Sequence, residues 1–472
     1  MPIKLSATRL DLGTARLDNA NLRAYSEVTN ALGNVSGATT INLALGCIIT
    51  ATATAAVTWT VTNLPSSSGY CAFTLILTNG GRYTMTWPSG TKWQNSVAPT
   101  LSVIGTDVLT FFTVDGGTSW QGSVTIQNSS SGSQMWVWGS GNAGKLGLGD
   151  VAHRSSPVQL AGTWAQPNGS QNNSALLKAN GSLWVMGDNG QGNLGLGDVI
   201  YRSSPVQLAG TWIAVGMGET FAAALKPDGS LWVWGRAYEG QLGLGDTTVS
   251  KRSSPVQLAG TWSSFSLGID HAAALKSDGS LWVWGSGNLG RLGLGDTITR
   301  SSPVQVPGTW TSVASGSTRT TGIKSGGSLW TWGINSNGHL GVGDTVHRSS
   351  PTQVAGAWNS VYAGAGNVAG FKSDSSLFIW GYNTQGNLGL GDSGIDRSSP
   401  VQLAGTWSAI SLADRHAAAL KSGGSLWSWG FGGSGRLGVG DSLNRSSPVQ
   451  VPGTWVSVRL GNSATHSAAL RA

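Results

Sequence analysis

The dominant pattern along the chain is a pair of short apolar runs on either side of a polar turn. In Ala273-Ala-Leu-Lys-Ser-Asp-Gly-Ser-Leu-Trp-Val-Trp-Gly285 the two runs bracket Ser-Asp-Gly-Ser. Such runs joined by a glycine-containing turn predict a β-hairpin. The unit continues with a Leu-Gly-Leu-Gly-Asp segment, then Arg-Ser-Ser-Pro and Gly-Thr-Trp, and it recurs seven times. Its first Trp or Phe falls at Trp136, Trp184, Trp232, Trp282, Trp330, Phe378 and Trp427, in steps of 48, 48, 50, 48, 48 and 49 residues. A fixed period of this length means a solenoid, a propeller or an array.

The two ends of the repeat region decide among these. The first Trp-Val-Trp-Gly has no Ala-Ala-Leu-Lys before it, and the final Ala468-Ala-Leu-Arg471 has no Trp-Val-Trp-Gly after it. Each supplies the strand that the other lacks. An open solenoid needs polar caps, whereas complementary ends close a ring and leave only short, protected edges. The expected fold is all-β: a seven-bladed β-propeller of four-stranded blades over residues 135–472, its first blade closed by the C-terminal strand.

The pattern changes ahead of the repeats. In residues 1–33, Leu12, Leu17 and Leu22 recur every five residues, a period of neither strand nor helix. This segment reads as an arm for attachment or oligomerisation, or as a partly ordered terminus. Residues 34–127 alternate apolar residues with Thr in Val57–Thr62, Ala72–Leu77, Tyr83–Trp87 and Val108–Thr113, punctuated by Asn79-Gly-Gly81, Pro88-Ser-Gly90 and Asp115-Gly-Gly117. They predict a small antiparallel β-sandwich or jelly-roll-like module. Residues 128–134 form a polar linker.

Composition narrows the picture. No run approaches the ~20 apolar residues of a membrane helix, and the start of the chain lacks a signal-peptide design, so synthesis in a host cytoplasm without membrane insertion is expected. Cys47 and Cys71 are the only cysteines, enough for two free thiols or one disulfide within the module. The net charge of +7 invites a nucleic-acid reading. However, the seven strand-end Lys/Arg (Lys178 to Arg471) and the seven Arg of Arg-Ser-Ser-Pro are fixed by the repeat, and seven Gly-Asp aspartates precede those arginines. Charge spread evenly round a ring reads as structural pairs and loop anchors, not as the clustered face of a nucleic-acid binder. The 19 Trp from residue 136 onward read as architecture, with Met186 and Phe378 substituting in single blades.

Two resemblances follow from these motifs. Leu-Trp-Val-Trp-Gly, Gly-x-Leu-Gly-Leu-Gly-Asp, Ser-Pro-Val-Gln and Gly-Thr-Trp together resemble the regulator-of-chromosome-condensation family, which implies seven four-stranded blades. The position where that family commonly carries Gln holds Lys145, Asn193, Gln241, Arg291, His339, Asn387 and Arg436, which argues against the family's nucleotide-exchange activity. Val35–Leu43, Thr86-Trp-Pro88, Lys92-Trp93, Ala98–Leu101 and Asp115–Trp120 resemble a module of bacteriophage tail-fibre and receptor-binding proteins. That resemblance implies a virion protein.

With the Pro-Val-Gln-Leu strand taken as the first of each blade, one face carries near-identical turns. The other carries loops that differ between blades. Residues needed only by the blade should repeat with it, and binding concentrates on loops of rigid scaffolds; neutral drift of exposed loops is the competing explanation. The candidate binding residues on that face are Asn173, Glu219, Phe221, Arg236, Tyr238, Asp270, His271, Arg319, Tyr382, Asp414, Arg415, His416, Phe431 and His466. No catalytic residue, metal site or cofactor is expected: the six histidines lack ligand spacing, and Asp270-His271 and Asp414-Arg415-His416 read as loop-surface residues. Glu219, Glu239 and Asp188 leave a glycan-cleaving pair of carboxylates open.

The expected function is therefore a non-enzymatic phage tail fibre or spike adhesin in the virion. Its amino-terminal region would attach to other virion proteins, and its propeller would recognise a host-surface glycan or protein receptor. A homo-oligomer is expected, with a trimer as the common state of fibres. The alternative is a virion connector or decoration protein whose propeller binds other virion proteins.

Overall fold

The computed structural model describes residues 28–64, 71–93, 98–99, 101–102, 105–126, 133–246, 248–461 and 464–471. From Ser133 onward the chain builds seven four-stranded sheets. In blade 2, Ala214–Met217 is innermost, followed by Phe221–Leu225, Leu231–Arg236 and, outermost, Lys251–Leu258. Blades 1 to 6 take their inner strands from Gln166–Gly169, Ala214–Met217, Ser264–Leu267, Trp310–Ser315, Ser360–Ala363 and Trp407–Leu412. The second strand of each blade is buried along nearly its whole length. With both its faces covered by neighbouring blades, it is buried on both sides instead of alternating, and the polar residues it carries are concentrated towards its start. Its alanines, such as Ala222–Ala224, let the sheets approach each other near the axis.

The ring closes as the unmatched ends of the repeats require. Blade 7 joins Ser457–Arg459 and His466–Arg471 to Ser133–Gly139 and Arg154–Trp164, with Ala468 opposite Val137 and Ala469 opposite Trp136. Two strands come from each end of the repeat region, instead of one strand closing the circle. The Ser-Pro-Val-Gln strand is the outer edge of the preceding sheet and not the first strand of its own blade. Proline has no N–H to donate, so an edge strand is where it is tolerated. It also blunts that edge against pairing with other chains.

Two sets of hydrogen bonds join most blades to the next. At one end, the Trp of Gly-Thr-Trp donates its backbone N–H to the turn glycine of the preceding blade, as from Trp212 to Gly181 and from Trp262 to Gly229, both at 2.8 Å. At the other end, the second indole of Trp-x-Trp donates to the carbonyl of the residue before Leu-Gly-Leu-Gly in the preceding blade. Trp234 bonds Asn193 O, Trp284 bonds Gln241 O and Trp380 bonds His339 O, each at 3.0 Å. The glycine that follows is sterically required. Gly195 lies at φ +74, and a Cβ there would sit 2.9 Å from the Trp234 Nε1. Met186 replaces this Trp in blade 1, and there the Ser174 hydroxyl bonds Lys145 O instead, at 2.8 Å. The substitution thus keeps the apolar volume and passes the donor to a neighbouring strand.

The amino-terminal module is all-β as expected; three of the four predicted alternating runs lie in strands, while of Tyr83–Trp87 only Met85–Thr86 forms a strand, because Tyr83 caps a 3-10 turn. Its strands are β1 (Thr29–Asn42), β2 (Ile48–Thr62), β3 (Cys71–Thr78), β4 (Met85–Thr86), β5 (Thr91–Trp93), β6 (Thr106–Thr113) and β7 (Trp120–Ile126). They form one seven-stranded sheet in the order β1-β2-β3-β6-β7-β5, with β4 on β2. The pairing is mixed where antiparallel pairing is expected: β1–β2, β2–β3, β2–β4 and β5–β7 are parallel. A straight β1 would span about 46 Å, yet only residues 43–47 return the chain to the start of β2, a reach of about 20 Å. The strand therefore coils, and it breaks register beside Gly33 and Gly37, both at positive φ. Val57, Trp59, Phe73, Phe111 and Trp120 fill the core. Cys71 is buried and Cys47 half-buried, both as free thiols. The first strand begins at Thr29, ahead of the residue-34 boundary, and the expected Leu-repeat arm falls within residues 1–27, outside the described residues.

Replacing Trp284 by Ala should cost about 3–5 kcal/mol, the range for a large buried aromatic, read from denaturant unfolding. Ser174→Ala should cost about 1–3 kcal/mol because it strips buried groups of their partner. Phe378→Trp, which restores the consensus ring at a half-buried site, should change stability by less than Ser174→Ala.

Candidate functional site

The antiparallel meander gives the ring two unlike faces. Second-to-third turns and the crossings between blades lie on one face. Inner-to-second hairpins and third-to-outer loops lie on the other. Ser133 starts the third strand of blade 7, so the chain enters the propeller from the turn face. Arg82 of the amino-terminal module lines a cavity of about 400 Å3 on the axis, together with inner-strand residues such as Ile213, Phe265 and Tyr362.

Most of the positive charge has structural partners. On the turn face each strand-end cation lies over aromatic rings: Lys226 Nζ is 4.0 Å from the Trp232 ring centroid and 5.3 Å from that of Trp212, and Arg471 lies 4.3 Å from both Trp136 and Trp455. At the rim of the loop face, all seven arginines of Arg-Ser-Ser-Pro pair with the preceding Gly-Asp aspartate, as in Arg300–Asp296 at 2.6 Å and Arg252–Asp246 at 3.3 Å. Backbone N–H and arginine donors hold Asp150, Asp198, Asp296, Asp344 and Asp441 below the usual aspartate range. The seven pairs expected from sequence are all formed.

The fourteen candidate residues separate into two groups. Glu219, Arg236, Tyr238, Asp270, Tyr382, Asp414, Arg415 and Phe431 are exposed or half-exposed on the loop face. Asn173, Phe221, His271, Arg319, His416 and His466 are buried, which corrects the expectation of a binding role and of loop-surface histidines. All six open a second strand, and all but Asn173, which accepts from Ser170 Oγ of its own blade, face the neighbouring blade. His271 Nε2 lies 3.0 Å from Thr320 Oγ1, His416 Nε2 2.9 Å from Ser467 Oγ, and His466 Nε2 2.7 Å from Ser174 Oγ. Each hydroxyl in turn donates to the carbonyl of Arg291, Arg436 or Lys145. The hydroxyls therefore accept from Nε2–H, which assigns the neutral Nε2–H tautomer. Burial, reinforced by the nearby cation, pushes His271 and His466 down to about 3. Arg319 donates to Ala365 O, Gly364 O and Asn367 O at 2.7–2.9 Å. It is fully buried, and desolvation lowers it to about 9.

The exposed group surrounds the loop-face mouth of the channel. Arg236 lies 3.9 Å from Asp270 and stacks 5.5 Å from the Tyr238 ring; Asp414 pairs with Arg415 at 3.4 Å. Burial raises Glu219, Asp270 and Asp414, and Glu219 is raised further by Asp270 and by Asp414. Glu219 stands on blade 2 and Asp414 on blade 6, so their mutual repulsion acts across the mouth. Arg436 lies 4.7 Å from the Phe431 ring. Sequence reasoning passed over Lys145, Arg291 and Arg436 as family-position substitutions. All three are buried at blade junctions, and Lys145 Nζ joins Gln171 O to Thr465 Oγ1 at 2.7 Å each. No group of three or more possible metal ligands occurs among the described residues.

This fold defines a β-propeller that presents loops on one face and is entered from the other. The RCC1-like domain profile matches residues 134–469, so the chain belongs to that family. Among solved structures it is similar to human WBSCR16, with TM-score 0.65 and 22% identity over 72% of this chain and 98% of that one. It is also similar to yeast RCC1 (Prp20) bound to Kap60, with TM-score 0.65 and 20% identity over 72% and 88%. Prp20p from Saccharomyces cerevisiae, with TM-score 0.65, is 19% identical over 72% and 92%. At these identities the likeness is one of fold. No curated protein sequence matches the chain.

Two outcomes test this geometry. Arg319→Ala should lower stability by about 3–5 kcal/mol in denaturant unfolding, because it leaves a cavity and three unpaired carbonyls. Glu219→Gln should raise stability at neutral pH. The folded protein raises this carboxyl above its ordinary 4.5, so its charged form is a cost above the folded pKa and none below 4.5. The gain over the wild type should vanish as a pH series of thermal melts descends through that range.

Proposed function

We propose that the protein is a bacteriophage tail-fibre or spike adhesin, with the amino-terminal module attaching to the virion and the loop face of the propeller recognising the host surface. One observation carries the reading: the chain enters the ring from the repeat-fixed turn face, so the non-repeating side chains Tyr238, Tyr382 and Arg415 face away from the module. Supporting it are the module's likeness to phage fibre proteins and the spread of polar and aromatic groups over several blades, which favours a broad contact. Several fibre copies would turn weak contacts into firm attachment. Tyr and Arg are favoured interface anchors, and these side chains are available on this face to a host-surface molecule.

Fluorescently labelled full-length protein should bind bacterial host cells saturably. A Tyr238→Ala, Tyr382→Ala, Arg415→Ala variant should lose at least about tenfold in affinity, the loss of a hot-spot residue, with its melting temperature unchanged. A well-folded wild type that binds no host cell would count against an adhesin and favour a virion connector.

A further inference from the structure

The exposed apolar side chains of the propeller are not scattered. Among the described residues, all its large ones but Val456 lie in the third-to-outer loops, on the loop face. Val151, Ile200, Ile298, Val346, Ile395 and Leu443, one in each of six blades, are 57–64% exposed. Each stands between the aspartate and the arginine of a rim ion pair. In blade 2 the same stretch holds the exposed Thr248 and the half-buried Val249. Single exposed apolar residues need no explanation, but a ring of them that repeats with the blade does. The blade gains nothing from an exposed isoleucine.

The backbone at these tips is satisfied from within. The N–H groups of Ile200, Ile298, Val346 and Leu443 bond the clamp aspartate at 2.9–3.0 Å. The carbonyls of Ile200, Ile298, Val346 and Ile395 accept from the clamp arginine at 2.6–2.9 Å. An apolar tip whose polar groups are already paired loses little on leaving water.

We propose that this face docks on a lipid bilayer, with the aliphatic ring seated at the boundary between headgroups and acyl chains. The occupant follows from the repetition. A folded protein presents different chemistry at six points on a circle, whereas a bilayer presents the same chemistry at all of them. The exposed Tyr201 and Tyr238 are residues favoured at that boundary. The exposed charge at the mouth is Arg236 and Arg415 against Glu219, Asp270 and Asp414, with no positive excess to call for anionic headgroups, so zwitterionic lipid suffices. The contact is peripheral: no helix of the described residues is long and apolar enough to cross a membrane. The proposal rests on the loop face being the recognition face and names the surface recognised.

Co-flotation of the full-length chain with phosphatidylcholine vesicles tests it. The wild type should float with the vesicles. Ile200→Ser, Ile298→Ser, Leu443→Ser together should weaken binding at least about tenfold through lost apolar burial. Val456→Ser, an exposed apolar residue on the turn face, should float like the wild type. Failure of the wild type to float, or flotation of the triple variant at wild-type affinity, would overturn lipid docking. Host-cell binding measured in parallel separates the two readings: cell binding without flotation leaves the adhesin and removes the bilayer, as a protein receptor would, and flotation without cell binding does the reverse.

Discussion

The structure depends on a requirement that no single blade can meet. A four-stranded sheet whose second strand is buried on both faces has no stable existence alone, and its neighbours must cover it. The covering is directional as well as apolar. Each blade offers a backbone carbonyl before its Leu-Gly-Leu-Gly turn, in most blades filled by a donor from the next. Where the indole is present, Trp234 or Trp284 fills it; where Met186 stands instead, the Ser174 hydroxyl does. Leaving a buried carbonyl unpaired is costly, so the donor can change identity more readily than it can disappear.

That requirement explains where sequence reasoning succeeded. The period, the hairpins and the closure by complementary ends were legible because nearly every blade makes the same main-chain and tryptophan contacts. It also explains the main error. His271, Arg319, His416 and His466 differ between blades, and non-repetition was taken as a mark of binding. These positions vary because each is matched to the neighbouring strand: a histidine where Ser174, Thr320 or Ser467 faces it, an arginine where only carbonyls do. Variation arising from pairwise compensation looks the same, along a single chain, as variation arising from recognition. The uninterrupted apolar run that follows His271 and His416, Ala272-Ala-Ala-Leu275 and Ala417-Ala-Ala-Leu420, was the available sign that these side chains open a buried strand.

The opposite oversight concerned the rim. Positions that repeat were assigned to architecture, so Ile200, Ile298 and Leu443 drew no notice although nothing packs on them. Repetition signals a shared constraint, and only burial tells whether the constraint is internal. The amino-terminal module shows a different limit. Alternation of Thr with apolar residues marks a strand with one covered face, and it does so equally for parallel and antiparallel neighbours. The coil of β1 over β2 depended on glycines whose positive φ no alternation pattern reveals.

The two-plus-two construction of blade 7 has a consequence for the order of events during synthesis. Ser133–Gly139 and Arg154–Trp164 are made early but have no inner strands to pair with until residues 457–471 have been made. For more than three hundred residues of elongation this half-blade presents an unpaired strand edge, Trp138 included, to the surrounding solution. Contacts between positions this distant in sequence form late and slowly, and exposed edges of this kind invite misassembly. The strands that complete blade 7 therefore also set how long the growing chain remains vulnerable.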